Sequence, residues 1–369
     1  MPAPKSLLLA ARWIGGSPVP IWGLLPDERL RRHLGRAGLG DAGPWTGSVP
    51  PEQETLLLRG DHVYDDAVVG ALIRAPATVL LDACGRPLAA HVQGLQAEAM
   101  ARALAGEGPM PEGLSRLTPD QLVSAHRPKL RKRQAAFVLP VTADGARAVE
   151  ARLFAASYKG VTDAVTKYLW PLPARLATRW CVALGISPNM VTLANLALAV
   201  LAALLFLGGH LWSGLACAWA MTFLDTVDGK LARVTLTSSR LGDVLDHGLD
   251  LVHPPLWWWA WWVGCGAQGS LALVVVLAGY VLLRAQEGLF LWRFGMELHV
   301  WRRFDSLFRL ITARRNPILV ILTVALAAGQ PVLGFQLTAA WTALSVLVHG
   351  ARMVQAVRAN GPLRSWLEA

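Results

Sequence analysis

Charge is scarce in this sequence. Only 16% of its residues are charged, against 54% hydrophobic, whereas soluble domains carry nearer a quarter charged. The low charge points to membrane segments, and the deficit is uneven. Residues 1 to about 180 mix charged and apolar groups as a soluble domain does, while the rest reads as long apolar blocks, so the chain divides into two parts. Cysteine is sparse too. Cys84, Cys181, Cys217 and Cys265 are scattered with no C-x-x-C spacing, which leaves neither a disulfide framework nor a zinc site. The N-terminus lacks a secretory apolar run, because Leu7–Ala11 is short and interrupted by Arg12. It is read as cytoplasmic.

What remains is organised around membrane crossing. A helix needs about 20 apolar residues to cross the hydrocarbon core, and six candidate spans fall at roughly 190–208, 211–228, 244–264, 269–288, 316–331 and 335–354. The segments Gly208–Gly214, Gly264–Gly269 and Gly329–Gly334 contain no Lys or Arg. The opposite loops hold Lys230, Arg233 and Arg240, then Arg293, Arg302, Arg303, Arg309, Arg314 and Arg315, and the tail adds Arg352, Arg358 and Arg364. By the positive-inside rule both termini are cytoplasmic, in a multi-pass protein of the cell (inner) membrane. Ala148–Trp180 mixes Arg152, Lys159, Lys167, Arg175 and Arg179 with Phe154, Tyr158, Tyr168 and Trp170, as a helix lying in the membrane interface does. The net charge of +10 is read as membrane flanks. The basic run Arg127–Arg133 is read as a solvated face or lipid contact, and no nucleic-acid partner is expected.

The second and third spans carry carboxylates at their inner ends. Asp225, Asp228, Gly229 and Ala232 are three or four residues apart and share one helical face, as do Gly242, Asp243, Asp246 and Asp250. Carboxylates at a membrane are costly and functional by default, and several together repel unless protonated or bridged by a cation. Hard divalent ions, Mg²⁺ or Mn²⁺, suit such oxygen ligands. Small residues on the same face leave room for a ligand, although they also favour close helix packing. A solvated acidic cap would explain one or two of these acids but not their register with the small residues.

The spacing D-x-x-D-G-x-x-A-R-x8-G-x-x-x-D-x-x-x-D, from Asp225 to Asp250, resembles the signature of the CDP-alcohol phosphotransferase family without a departure. Ser187-Pro-Asn-Met-Val-Thr192 is similar to the family's Pro-Asn-x-x-Thr start of the first span. The resemblance implies two metal ions beside the diphosphate of a CDP-linked donor. Asp225, Asp228 and Asp246 would be ligands, and Asp250 the general base and a further ligand. Gly229, Ala232 and Gly242 would border the nucleotide, Arg233 would lie near its phosphates, and Asn189 and Thr192 would stand on the nucleotide side. It further implies a homodimer and a donor that is CDP-diacylglycerol or a soluble CDP-alcohol. The acceptor is a hydroxyl compound, a phosphorylated one or a lipid among the options. Arg284, Arg314 and Arg315, at inner helix ends, are candidates for an acceptor phosphate, though topology alone also places arginines there.

In the first part, Leu56–Arg59 reads as an apolar strand before a Gly60-Asp61 turn, Ala77–Leu81 as a second strand before a turn at Cys84-Gly-Arg, and Pro26–Ala37 as a helix. This is an α/β pattern. It resembles a sugar-phosphate nucleotidyltransferase domain, but the glycine-rich loop with its Arg and Lys is missing from the first 25 residues, so a non-catalytic remnant is expected. The same order of parts occurs in bifunctional proteins that make CDP-inositol and transfer inositol phosphate, and Tyr158–Asp163 is similar to theirs. The expected architecture is a cytoplasmic α/β domain over residues 1–147 and an α-helical integral membrane domain, interfacial helix plus six spans, over 148–369. A divalent-cation transporter and a decayed membrane scaffold are the rival functions.

Overall fold

The computed structural model describes residues 9–237, 240–269, 271–359 and 361–368, without the side chains of 240–247, 249 and 250. Two compact units emerge. The first holds residues up to 127, 133–157 and 234–236; the second holds 128–132, 158–233 and 237 onward.

The first unit is built on strands β1 (Ala10–Ile14), β2 (Ala42–Pro44), β3 (Glu54–Arg59), β4 (His62–Tyr64), β5 (Thr78–Leu81), β6 (Pro87–Gln93) and β7 (Ser115–Leu117). Six of them form one sheet in the order β2-β1-β3-β6-β5-β7. β1 runs parallel to β2 and β3, β6 antiparallel to β3 and β5, and β7 parallel to β5. Helices α1 (Pro26–Arg36), α2 (Asp66–Ile73), α3 (Gly94–Ala105) and the short α4 (Pro119–Leu122) surround it. The leucine run of β3 shows why. Leu56 and Leu58 join a core with Leu34, Val68 and Leu72, while Leu57 joins Met100 and Leu104. Successive strand residues face opposite ways, so a continuous apolar run marks a sheet covered on both faces. The α/β reading holds, and the segment around Arg12, too short for a secretory run, is the parallel strand β1 beside β3.

The second unit is helical. After α5 (Ala146–Ala156), which closes the first unit, come α6 (Pro171–Ala183), α7 (Pro188–Leu207), α8 (Leu211–Val234), α9 (Arg240–Gly264), α10 (Leu271–Phe294), the short α11 (Arg303–Phe308), α12 (Arg315–Ala327) and α13 (Pro331–Arg358). A helix stands at each of the six anticipated positions. Among the described residues, three are long and apolar enough to cross a membrane: α7, α10 and α13. The others differ for identifiable reasons. α8 carries Asp225, Asp228, Lys230 and Arg233, the apolar half of α9 is largely tryptophan, and α12 has only 13 residues, about 20 Å of helix.

The stretch 148–180, anticipated as one helix, is divided. α5 ends at Ala156, a π-type turn covers Val165–Leu169, and α6 begins at Pro171. Gly160 sits where a Cβ would come within 2.5 Å of the Lys132 side chain, and Pro171 has no N–H to continue a preceding helix.

Capping and close contact set the helix ends. Ser187 accepts from the Met190 amide at 3.3 Å, with Pro188 in the first turn. At the other end of α7 the chain meets α9 so closely that a Cβ on Gly264 would lie 1.7 Å from the Phe206 carbonyl, so only glycine fits there. Phe206, Trp257, Trp258, Trp261, Leu319 and Phe335 are wholly buried in the shared core. Trp257 donates its indole N–H to the Ala199 carbonyl at 2.8 Å and Trp219 donates to Thr323 at 3.0 Å. Indoles with a hydrogen-bond partner bury large apolar area without stranding a donor.

Candidate active site

α7 and α8 bring the first half of the acidic signature together. Asp228 is buried, 4% exposed, and one of its oxygens accepts from Thr192 Oγ1 at 3.1 Å and Asn195 Nδ2 at 3.0 Å. A turn earlier on α8, Asp225 meets Arg315 at 2.6 Å, an ion pair delivered by the first turn of α12. A Cβ on Gly229 would stand 3.0 Å from the Arg233 guanidinium, so the glycine lets Arg233 lie back along the helix. Lys230 is buried with its ammonium 3.8 Å from the centre of the Tyr158 ring.

Thr192 thus stands with Asp228, whereas Asn189 is exposed. Asn195, one helical turn beyond Thr192 and 1% exposed, was not anticipated; its spacing of three from Thr192 was the available signal. The backbone of Gly242, Asp246 and Asp250 lies in α9, but their side chains lie outside the described residues.

The donor set around Asp228 fits a hard divalent cation. Two carboxylates share a helical face, and Asn195 Oδ1 is buried without a hydrogen-bond partner, a further hard oxygen beside a charged one.

The three arginines considered for an acceptor do not act together. Arg315 serves Asp225, while Arg314 donates to Glu287 and Arg284 lies 3.8 Å from the same carboxylate. Glu287 also meets His299 Nε2 at 3.0 Å, and His349 completes a cluster with them. A neighbouring group joins Asp163, which accepts from the Thr166 amide at 3.0 Å and from Asn316 Nδ2 at 2.9 Å. Burial alone would raise the Asp163 carboxyl, but Arg309 and these hydrogen bonds outweigh it and hold it below the usual range. Burial pulls the Arg309 guanidinium down to about 9, with Arg314 adding to the effect. Burial likewise holds His299 neutral, down to about 3. Of these groups the sequence had singled out Arg284, Arg314 and, through the Tyr158–Asp163 stretch, Asp163, whereas Glu287, His299, His349 and Asn316 were missed.

Residues 185–354, from just before α7 to near the end of α13, match the CDP-alcohol phosphatidyltransferase family. They form a CDP-alcohol phosphatidyltransferase domain. The aspartate face of α8 and its partners on α7 and α12 lie inside it. Within the chain, similarity extends to cholinephosphotransferase 1 of Xenopus laevis, 29% identical over 124 residues that cover 31% of this chain and 30% of that protein. The phosphatidylinositol phosphate synthase of Mycobacteroides abscessus is 40% identical over 98 residues, 25% of this chain and 42% of the synthase. Human cholinephosphotransferase 1 is 34% identical over 92 residues, 21% of this chain and 23% of the relative. The chain spans less than half the length of each of these relatives. The first unit, apart from residues 234–236, lies outside the domain.

Proposed function

We propose that the chain is an integral membrane transferase that moves a substituted phosphate group from a CDP-linked donor to an acceptor hydroxyl, releasing CMP and forming a phosphodiester. The observation that carries it is the placement of Asp225 and Asp228 on one face of α8, Asp228 buried against Thr192 and Asn195, within a domain of this family. Asp225, Asp228 and Asp246, with Asp250, would hold Mg²⁺ or Mn²⁺, two ions by the family's pattern. When bound, the cation neutralises the diphosphate and the departing CMP. Gly229, Ala232, Arg233 and Gly242 border the nucleotide. Asp250 accepts the proton of the acceptor hydroxyl, whose oxygen attacks the phosphorus remote from cytidine while the bond to CMP breaks. Preorganised charge rather than covalent chemistry lowers the barrier.

The reading extends to topology and substrates. All six helices α7, α8, α9, α10, α12 and α13 cross the membrane, with both termini and the aspartates on the cytoplasmic side. The donor is CDP-diacylglycerol or a soluble CDP-alcohol, and a phosphorylated acceptor beside the aspartates would meet Arg315, which stands on Asp225, before Arg314 or Arg284, which stand on Glu287. The chain works as a homodimer. The first unit, whose first 25 residues lack the sequence of a glycine-rich phosphate loop with its Arg and Lys, is non-catalytic.

The test is CMP release by the purified chain across a panel of donors and acceptors in Mg²⁺ or Mn²⁺. Release with one donor–acceptor pair and none without metal supports the reading. No release with any pair would return the protein to a scaffold or, if it moves cations across vesicles, to a transporter.

A further inference from the structure

The Asp225–Asp228 face does not account for the other polar cluster in the helical unit. Glu287 near the end of α10, His299 in the short turn Leu298–Val300 and His349 in α13 each offer a ligand atom, and these atoms lie within 4.8 Å of one another. His349 is 0% exposed and neither ring nitrogen has a hydrogen-bond partner, while His299 Nδ1 also lacks one. A buried polar group left unpaired is destabilising, so packing alone would favour a leucine or phenylalanine at 349.

We propose that Glu287, His299 and His349 form a metal site for a borderline divalent cation such as Zn²⁺, made of different residues from the aspartate face. The inference does not rest on the transferase reading. Two imidazoles and one carboxylate are a donor set suited to Zn²⁺, whereas Mg²⁺ and Mn²⁺ prefer oxygen alone. The ligand atoms are already adjacent, with His299 Nε2 3.0 Å from Glu287 Oε1. A cation entering there binds the Nε2 lone pair of the neutral ring, whose one proton moves to Nδ1, so the two imidazoles ligate without losing a proton to solvent. The other carboxylate oxygen accepts from Arg314 and faces Arg284. Such outer partners fix the orientation of a ligating carboxylate. The site ties α10, the 298–300 turn and α13 together. The competing assignment is an anion on the buried Arg309, whose Nε and Nη1 lack partners; the unpaired imidazoles and the carboxylate between them favour the cation.

The test uses the full chain purified in detergent, stripped with a chelator and dialysed against buffered Zn²⁺, with metal content read by mass spectrometry. One zinc per chain is expected, retained in the Asp225→Asn, Asp228→Asn double variant. His299→Gln and His349→Gln should each weaken its binding by at least about tenfold, since even outer partners of a metal ligand cost that much when removed. Co²⁺ in the wild-type chain should give visible d–d absorption that Zn²⁺ abolishes, a readout that requires no variant to fold. A wild-type chain that binds no zinc and shows no cobalt band would overturn the proposal. So would zinc that follows the aspartates rather than the histidines, or inorganic phosphate that raises the melting temperature where Zn²⁺ does not bind.

Discussion

Several carboxylates of the first unit are satisfied by neighbours in sequence, whereas three of the helical unit take partners from far along the chain. Asp61 pairs with Arg59 and His62, Asp82 closes the β5–β6 turn through Cys84 and Arg86, and Asp65 caps α2. In the helical unit, Asp228 is met by Thr192 across 36 positions, Asp225 by Arg315 across 90 and Asp163 by Asn316 across 153. Local pairing is the ordinary way to secure a turn or a cap. Polar groups gathered from distant helices inside an apolar bundle have no such structural errand, and they are where function concentrates.

The comparison breaks if the acids of the two units prove equivalent. Asp228→Asn and Asp250→Asn should each lower CMP release at least about 100-fold, the scale of a lost proton acceptor or charge-stabilising group. Asp250→Asn should retain much of its donor binding, because it keeps the shape of the side chain. Asp61→Asn should leave CMP release within about twofold. Near-normal turnover in the first two variants, read in the same assay, would remove the central assignment.

The arginines sharpen the contrast inside the helical unit. Arg315 stands against the signature acid Asp225, and Arg314, its neighbour in sequence, against Glu287. Loss of a charge-assisted hydrogen bond to a phosphate costs about 1.5–3 kcal/mol. Arg315→Ala should therefore raise the acceptor KM about tenfold or more and leave the donor KM nearly unchanged, while Arg314→Ala should change neither by more than a few-fold. Equal effects on both substrates would make Arg315 a topological anchor.

A smaller effect is expected in the first unit. Asp65 accepts from the Ala67 amide at 3.0 Å at the start of α2, with Arg127 at 3.3 Å. Asp65→Ala should cost about 1–2 kcal/mol of stability in that unit, the usual loss of an N-cap, read by thermal unfolding, with CMP release unchanged at temperatures where the variant is folded.

The helices and half of the candidate site were legible because their causes are local. Long apolar runs, loops without Lys or Arg, Pro188 after Ser187 and Pro331 after Gln330 mark the helices, and the three-and-four spacing of Asp225, Asp228 and Gly229 marks a face. β3 and β5 were legible from their apolar runs. β1 was not, because Leu7–Ala11 with Arg12 reads as a broken segment until β2 and β3 flank it. The Glu287–His299–His349 group was hidden for the same reason: its members come from two helices and a turn and have no common period. Glu287 in an apolar helix and His349 in another were the available signals.

The last contrast is in acid. Asp163 and Asp61 are both held below the usual carboxyl range, Asp163 by Arg309 and its hydrogen bonds against the opposing effect of burial, Asp61 by His62 and Arg59 against the same opposition. A carboxyl whose folded pKa lies below its unfolded one binds fewer protons when folded, so stability rises with pH across that interval. Each contribution is fully present above the unfolded value, 3.8, and is lost as pH falls below it toward the depressed folded value. The surroundings set the difference between them. Asp163 is buried, while Asp61 keeps 29% of its side chain exposed, where salt screens its partners. Melting temperatures below pH 4 should therefore fall less steeply in Asp163→Asn than in the wild type, with the same difference at low and high salt. In Asp61→Asn the corresponding difference should be smaller and should shrink as salt is added. A salt-sensitive Asp163 response would mean that the carboxylate is not enclosed with Arg309 and Asn316.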